Sequence, residues 1–171
     1  MKRFALPFLT LACAASLSAA DYGLGFSVAN DSNAITAPIR LQGGIVLEPS
    51  VVFATSNEHD GSEKYKQTTF GAGFGVFKHK EVVQSLEFFY GGTLSAGRYT
   101  YKDEYTSGTD KESANYIALE PAIGLEYNIN KKISFGGKAG VSFQHVHGND
   151  YRYDQLNQVS TFSSLFVRMY F

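Results

Sequence analysis

From Asp21 onward, apolar and polar residues alternate with a period of two. That is the pattern of strands with one greasy and one polar face. Eight segments carry it, near residues 21–30, 34–42, 45–57, 66–78, 83–103, 115–128, 132–147 and 158–171. One face holds, for example, Leu24, Phe26, Ile39, Leu47, Phe74, Leu94, Ile123, Val141 and Phe143. The opposite face is dominated by Gly and Ser, interrupted by charges. The joints alternate too. Residues 43–44, 79–82 and 129–131 are short turns, whereas 58–65, 104–114 and 148–157 are long and polar, with a short polar loop at 31–33. In an up-and-down meander every second joint lies at the same end. The long joints therefore share one end and the tight turns the other, an asymmetry of outer-membrane barrels. The expected fold is all-β, an eight-stranded antiparallel up-and-down transmembrane β-barrel over 21–171.

Charge decides which face meets lipid. Arg40, Lys138 and Arg168 lie on the small-residue face. Turned outward, each would cost about 2–4 kcal/mol at mid-membrane, or roughly 10 kcal/mol together, before any carboxylate is counted. Turned inward, they meet Glu48, Glu87, Glu120 and Glu126 of the same face. The expectation is an interior charge network of Arg40, Glu48, Glu87, Glu120, Glu126, Lys138 and Arg168 that plugs the lumen. Glu120 and Lys138 lie higher, on neighbouring strands. Wide channels belong to barrels of more strands. Alternation alone also fits a secreted lipocalin-like carrier, with the apolar face inward around a ligand.

Residues 1–20 read differently. Lys2 and Arg3 precede an apolar run from Phe4 to Leu17, and Ser18-Ala19-Ala20 offers small residues for cleavage. This is the plan of a secretory signal peptide cleaved after Ala20. The run is short for a membrane anchor, and Thr10-Leu11-Ala12 before Cys13 makes a poor lipobox. Removing the peptide takes away Lys2, Arg3 and the single Cys, leaving 13 basic against 16 acidic residues. An acidic balance argues against nucleic acid as a partner. An exported chain without disulfides must find its stability elsewhere. Hydrophobic residues make up 44% and charged ones 18%, too apolar for disorder and too polar for a helical membrane bundle.

The chain ends Leu165-Phe166-Val167-Arg168-Met169-Tyr170-Phe171. With Leu165, Val167, Met169 and Phe171 at alternate places, this resembles the C-terminal signature of bacterial outer-membrane barrels. The hairpin from Leu125-Glu126-Tyr127-Asn128-Ile129 to Ile133-Ser134-Phe135-Gly136-Gly137-Lys138 is similar to the OmpA/OmpX-like small barrels, as are Ala37-Pro38-Ile39-Arg40-Leu41 and Leu47-Glu48-Pro49-Ser50-Val51. The resemblance implies a monomer in the cell outer membrane of a Gram-negative-type bacterium. Its partners would be outer-membrane lipid, lipopolysaccharide and, during insertion, the barrel-assembly machinery reading the terminal strand. Pro49 and Pro121 fall inside segments, where a bulge or a missing ladder bond is expected.

Candidate chemistry is sparse. Some small barrels act on lipid A, and deacylases of that type use a His-x-Ser pair; here the stretch is His145-Val146-His147. His145, His147 and Asp150 could approach a metal but straddle a strand end without fixed geometry. Gly71-x-Gly73-x-Gly75 lies mid-strand and opens no helix, so it is not a nucleotide loop. No nucleophile-base-orienter set is visible, and no enzyme, cofactor, metal or catalytic residue is expected. The alternative role of a lipid A-modifying enzyme would need a pocket for an acyl chain. What remains is a structural role, or adhesion and recognition of an unknown extracellular ligand through 58–65, 104–114 and 148–157. Tyr105, Tyr151, Arg152 and Tyr153 are the candidates there, since Tyr and Arg suit binding surfaces.

Overall fold

The computed structural model describes residues 20–29, 32–60, 63–105, 108–148 and 156–171, with backbone alone at 58–60, 63–65, 103–105, 108–110 and 156. The strands are β1 (Asp21–Ala29), β2 (Asn33–Thr36), β3 (Ile39–Leu41), β4 (Ile45–Asp60), β5 (Glu63–Val83), β6 (Leu86–Tyr105), β7 (Gly108–Asn128), β8 (Ile133–Gly148) and β9 (Leu156–Tyr170). Each pairs antiparallel with its neighbour, and β1 closes the sheet against β9 from Gly23↔Tyr170 to Ala29↔Ser164. β2 and β3 are two halves of one stave. The result is a closed eight-stranded barrel.

The split stave has a proline cause. Pro38 interrupts it, and Pro49 of β4 lies opposite Ala37. Neither can donate to a ladder. Ala37 N donates to Pro49 O (2.9 Å) and Gly23 N to Pro38 O (2.8 Å), so the carbonyl of each proline is still used. The register is the same on both sides of the break, Thr36↔Ser50 before it and Ile39↔Leu47 after. Pro121 behaves likewise. The β7–β8 pairing passes from Leu119↔Phe143 to Ala122↔Gly140 without a shift, skipping Glu120 and Pro121. At both prolines the ladder thins and does not bulge.

The short joints gather at the end that holds Asp21 and Phe171. Gly43 and Gly44 take φ of 75° and 73°, the left-handed pair that a tight hairpin needs. A side chain at Gly44 would also strike the His79 carbonyl, 2.6 Å from the added carbon. The turn expected at 79–82 is displaced. β5 runs through His79 to Val83, and the chain reverses at Gln84-Ser85, with Ser85 at φ 69°. Asn130 Oδ1 accepts from the amides of Lys132 (2.8 Å) and Ile133 (3.0 Å) and shapes the third turn over 129–132. At the other end two expected long loops are in large part strand. β4 reaches Asp60 and β5 starts at Glu63; β6 reaches Tyr105 and β7 starts at Gly108. Alternation weakens there because both faces meet water, so the sequence reads as loop where the ladder continues.

The apolar face points outward. Phe74 is 49% exposed, Leu94 54% and Ile123 58%, and Val141 shares their face. A lipocalin-like arrangement would bury these side chains; here they form the outer wall. From Tyr127 to Ile117 the greasy run on β7 rises about 25 Å at a tilt of ~45°, the height of an outer-membrane hydrocarbon band. Tyr127 packs on Phe135 (centroids 5.6 Å) near its lower edge. Above Phe70 and Ile117 the outward positions turn polar, at Lys66, Thr68, Arg98, Ser113 and Asn115. Lys78, also outward, reaches the Gly43 carbonyl at the turn end. β5 and β7 have 21 residues and β6 has 20, against roughly 9–11 for a tilted crossing. These three strands therefore extend well past the greasy band.

Candidate functional site

The lumen has two layers. The lower one, near the short turns, is ionic and aromatic. Arg168 of β9 sits at its centre, 1% exposed, and donates to Glu48 of β4 and Glu126 of β7. Arg40 of β3 bridges Glu126 (3.4 Å) and Glu87 of β6 (3.5 Å). Lys138 of β8 donates to Glu48 at 3.4 Å. Ser134 and Asn128 complete the carboxylates of Glu126 and Glu87. Buried charges persist only when paired and hydrogen-bonded in this way. The strand period places these residues: each lies on the inward parity of its strand, and the barrel's closure brings them to one point.

His79 belongs to this layer, although sequence reasoning put it in a turn. Its Nδ1 lies 3.0 Å from Glu87 and 3.6 Å from Glu126, while its ring stacks on Phe89 at 4.8 Å. Phe89 meets Phe77 edge-on (5.6 Å) and Phe166 at 5.9 Å. Arg168 lies over Phe166 (4.2 Å) and Arg40 over Tyr170 (4.8 Å). The interior expected to be small and charged thus also holds a cluster of Phe77, Phe89 and Phe166, with Phe162 packed against it. Their signal was parity, since Phe77 and His79 continue Gly71, Gly73 and Gly75, while Phe89 falls between Glu87 and Gly91. Glycine makes their seats. A Cβ at Gly124 would run into the Phe89 ring, and one at Gly136 into the ring of Phe166.

Above the floor lies a cavity of about 910 Å³, lined by small polar side chains such as Ser50, Thr69, Ser95, Ser142 and Gln144. Glu48, Glu120 and Lys138 stand at its base. Lys138 bonds Glu48, whereas among the described residues Glu120 accepts only from the Ser142 hydroxyl, at 3.3 Å. The charged network expected in the lumen thus gathers at the short-turn end, with a vestibule above it. Tyr99 and Tyr116 line the vestibule with rings 4.8 Å apart, and Gln144 donates to the Tyr99 hydroxyl.

The other candidates lie apart from this site. His145 and His147 point outward; His145 Nδ1 meets Asn157 Oδ1 at 2.8 Å, and Asp150 is outside the described residues. Among the described residues one metal-capable group appears, His79 with Glu87 and Glu126, and its carboxylates already hold Arg40 and Arg168. Leu165, Val167, Met169 and Phe171 all face outward, Phe171 being 78% exposed. The side chain of Tyr105, the whole of 151–153 and residues 1–19 of the signal peptide expected over 1–20 lie outside the described residues.

No known protein-family profile matches the chain, and no curated protein is similar in sequence. Solved structures are similar in fold. A major outer membrane protein from Thermus thermophilus aligns at TM-score 0.56 and 12% identity, over 90% of this chain and 100% of that one. Neisserial surface protein A aligns at 0.54 and 14%, over 89% and 96%. Ail, the attachment invasion locus protein of Yersinia pestis in complex with the heparin analogue sucrose octasulfate, aligns at 0.52 and 11%, over 88% and 94%. At such identities the likeness is one of fold, and the fold is that of the small eight-stranded outer-membrane barrels that the terminal strand and alternating segments resemble.

Proposed function

We propose that the chain is a small, non-enzymatic integral protein of the outer membrane, closed to ions at its lower end and serving surface binding at the other. The observation that carries this is the Arg168 guanidinium, buried between Glu48 and Glu126 inside a wall whose outside is greasy. Such a floor fills the cross-section of an eight-stranded barrel and leaves no aqueous path. The 1–20 leader directs export and is removed after Ala20, and the outward side chains of the last strand are read during assembly. The mature barrel is a monomer in outer-membrane lipid and lipopolysaccharide.

The strands that overrun the greasy band hold their connections away from the membrane. That projection supports recognition at the outer surface by 58–65 and 104–114, with Tyr105; 148–157, with Tyr151, Arg152 and Tyr153, joins them because alternate joints share one end. Ail, similar in fold, is known as a complex with a heparin analogue, which supports surface ligand binding as a use of this architecture.

Two measurements test the reading. Membrane fractions run on gels with and without boiling should show two mobilities, because folded barrels resist detergent at room temperature. The purified protein in planar bilayers should give no stable large conductance. A single mobility, with the protein soluble in the absence of detergent, would refute the membrane barrel; sustained channels would refute the closed floor.

A further inference from the structure

The ionic floor is not balanced. Arg40, Lys138 and Arg168 face Glu48, Glu87, Glu120 and Glu126, three fixed cations against four carboxylates, with the His79 imidazole set against Glu87 and Glu126. The cations are unevenly shared. Arg40 serves Glu87 and Glu126, Arg168 serves Glu126 and Glu48, and the Lys138 ammonium goes to Glu48 while lying over the Phe77 ring at 5.3 Å. Glu48 thus has two cationic partners. Glu120 has none within salt-bridge distance among the described residues, although Lys138 stands near enough to act on it electrostatically. Among the described residues its one hydrogen-bond donor is the neutral Ser142 hydroxyl. A half-buried carboxylate in that position favours a positive charge beside it.

Glu120 also opens onto the vestibule. That space is far larger than one bare ion needs, and its walls carry hydroxyls and carboxamides able both to donate and to accept. Tyr99 and Tyr116 stand against it as a tilted ring pair, and Tyr116 lies close enough to feel the Glu120 charge. Aromatic faces attract organic cations. A ligand matching this wall has one ammonium group and several hydroxyls.

We propose that the vestibule binds a small hydroxylated ammonium compound, an amino sugar in chemical class, with its amine paired to Glu120 and its hydroxyls bonded to the Ser, Thr and Gln wall. The floor of Arg168, Glu126 and the three phenylalanines stops the ligand from passing through, so the vestibule captures and does not conduct. The proposal rests on the barrel reading for its direction of access. The two-mobility gel tests that reading separately, so absent binding in a correctly folded barrel counts against the ligand alone.

The test is calorimetric titration of the detergent-folded mature chain with glucosamine, which carries one ammonium, beside N-acetylglucosamine, which has the same hydroxyls and no charge. The free amine should bind, weaken with added salt, and lose about tenfold or more in affinity in Glu120→Gln. The acetylated sugar should bind no better than that variant binds the amine. Equal binding of the charged and acetylated sugars, unchanged affinity in Glu120→Gln that still shows two gel mobilities, or no heat with the amine at ~10 mM would each overturn the assignment.

Discussion

Replacing Arg168 by Met keeps most of the side chain's length and removes its charge. In the folded barrel this strands two carboxylates. Glu48 retains Lys138 at 3.4 Å, and Glu126 retains Arg40 at 3.4 Å together with the Ser134 hydroxyl. The residual cationic partners are longer, and of the floor's fixed cations only Arg40 and Lys138 remain against four carboxylates. Breaking a buried pair from one side costs about 3–5 kcal/mol, because the remaining charge stays buried without its partner. The loss should reverse in large part when the carboxylates are neutralised as well. Arg168→Met with Glu48→Gln and Glu126→Gln replaces the ionic centre by neutral groups of similar shape, an exchange that is often neutral or stabilising. Urea unfolding of protein refolded into liposomes reads both effects as midpoint shifts at constant slope. If Arg168→Met unfolds within ~1 kcal/mol of the parent, or if the triple variant is no more stable than the single one, the floor is not held by this ionic centre.

Leu94→Arg puts a cation on the outward face in the greasy band and should cost about 2–4 kcal/mol in the same assay; an unchanged midpoint would mean that this face does not meet lipid. Gly124→Ala drives a methyl toward the Phe89 ring and the Gly137 carbonyl. A loss of about 1–3 kcal/mol is expected from overpacking, with Phe89→Leu in the same chain restoring only the ring's share. Deleting Phe171 should slow appearance of the heat-modifiable form in pulse–chase while leaving removal of the leader unaffected; normal assembly kinetics would rule out a role for the terminal aromatic.

The architecture was legible because a membrane barrel writes its two environments into alternate residues. Lipid demands apolar side chains at every other place, and Leu24, Phe74, Leu94 and Ile123 supply them. The inward charges were legible for the same reason, since Arg40 and Arg168 share parity with glycine and serine. Pairing was not. Lys138 was expected beside Glu120 from strand adjacency, yet from β8 it reaches Glu48 of β4, on the opposite side of the barrel. In a narrow barrel, side chains cross the axis, and sequence adjacency gives neighbours along the wall only. His79 was lost for a different reason. Lys78-His79-Lys80-Glu81 is polar enough to read as a turn, but the ladder continues because His79 finds Glu87 and the Gly44 carbonyl takes its amide at 2.7 Å.

The division of the lumen into floor and vestibule follows from a gradient of side-chain volume along the inward positions. On β5 these run Thr69, Gly71, Gly73, Gly75, Phe77, His79; on β9 they run Ser160, Phe162, Ser164, Phe166, Arg168, Tyr170. Both grow toward the short-turn end. Where the large residues meet, neighbouring strands offer Gly91, Gly124 and Gly136, so the rings lie against bare backbone and fill the bore. Where the small ones meet, the same eight staves leave a cavity. An empty lower half would expose Glu126 and Arg168 to the very water that their pairing excludes. Opening the floor therefore takes more than one truncation. Phe89→Ala removes a ring but leaves Arg168 bridging Glu48 and Glu126 below it, and it should enlarge the vestibule without raising conductance. Steady current through that single variant would show that the aromatic layer, and not the ionic one, is what holds the bore shut.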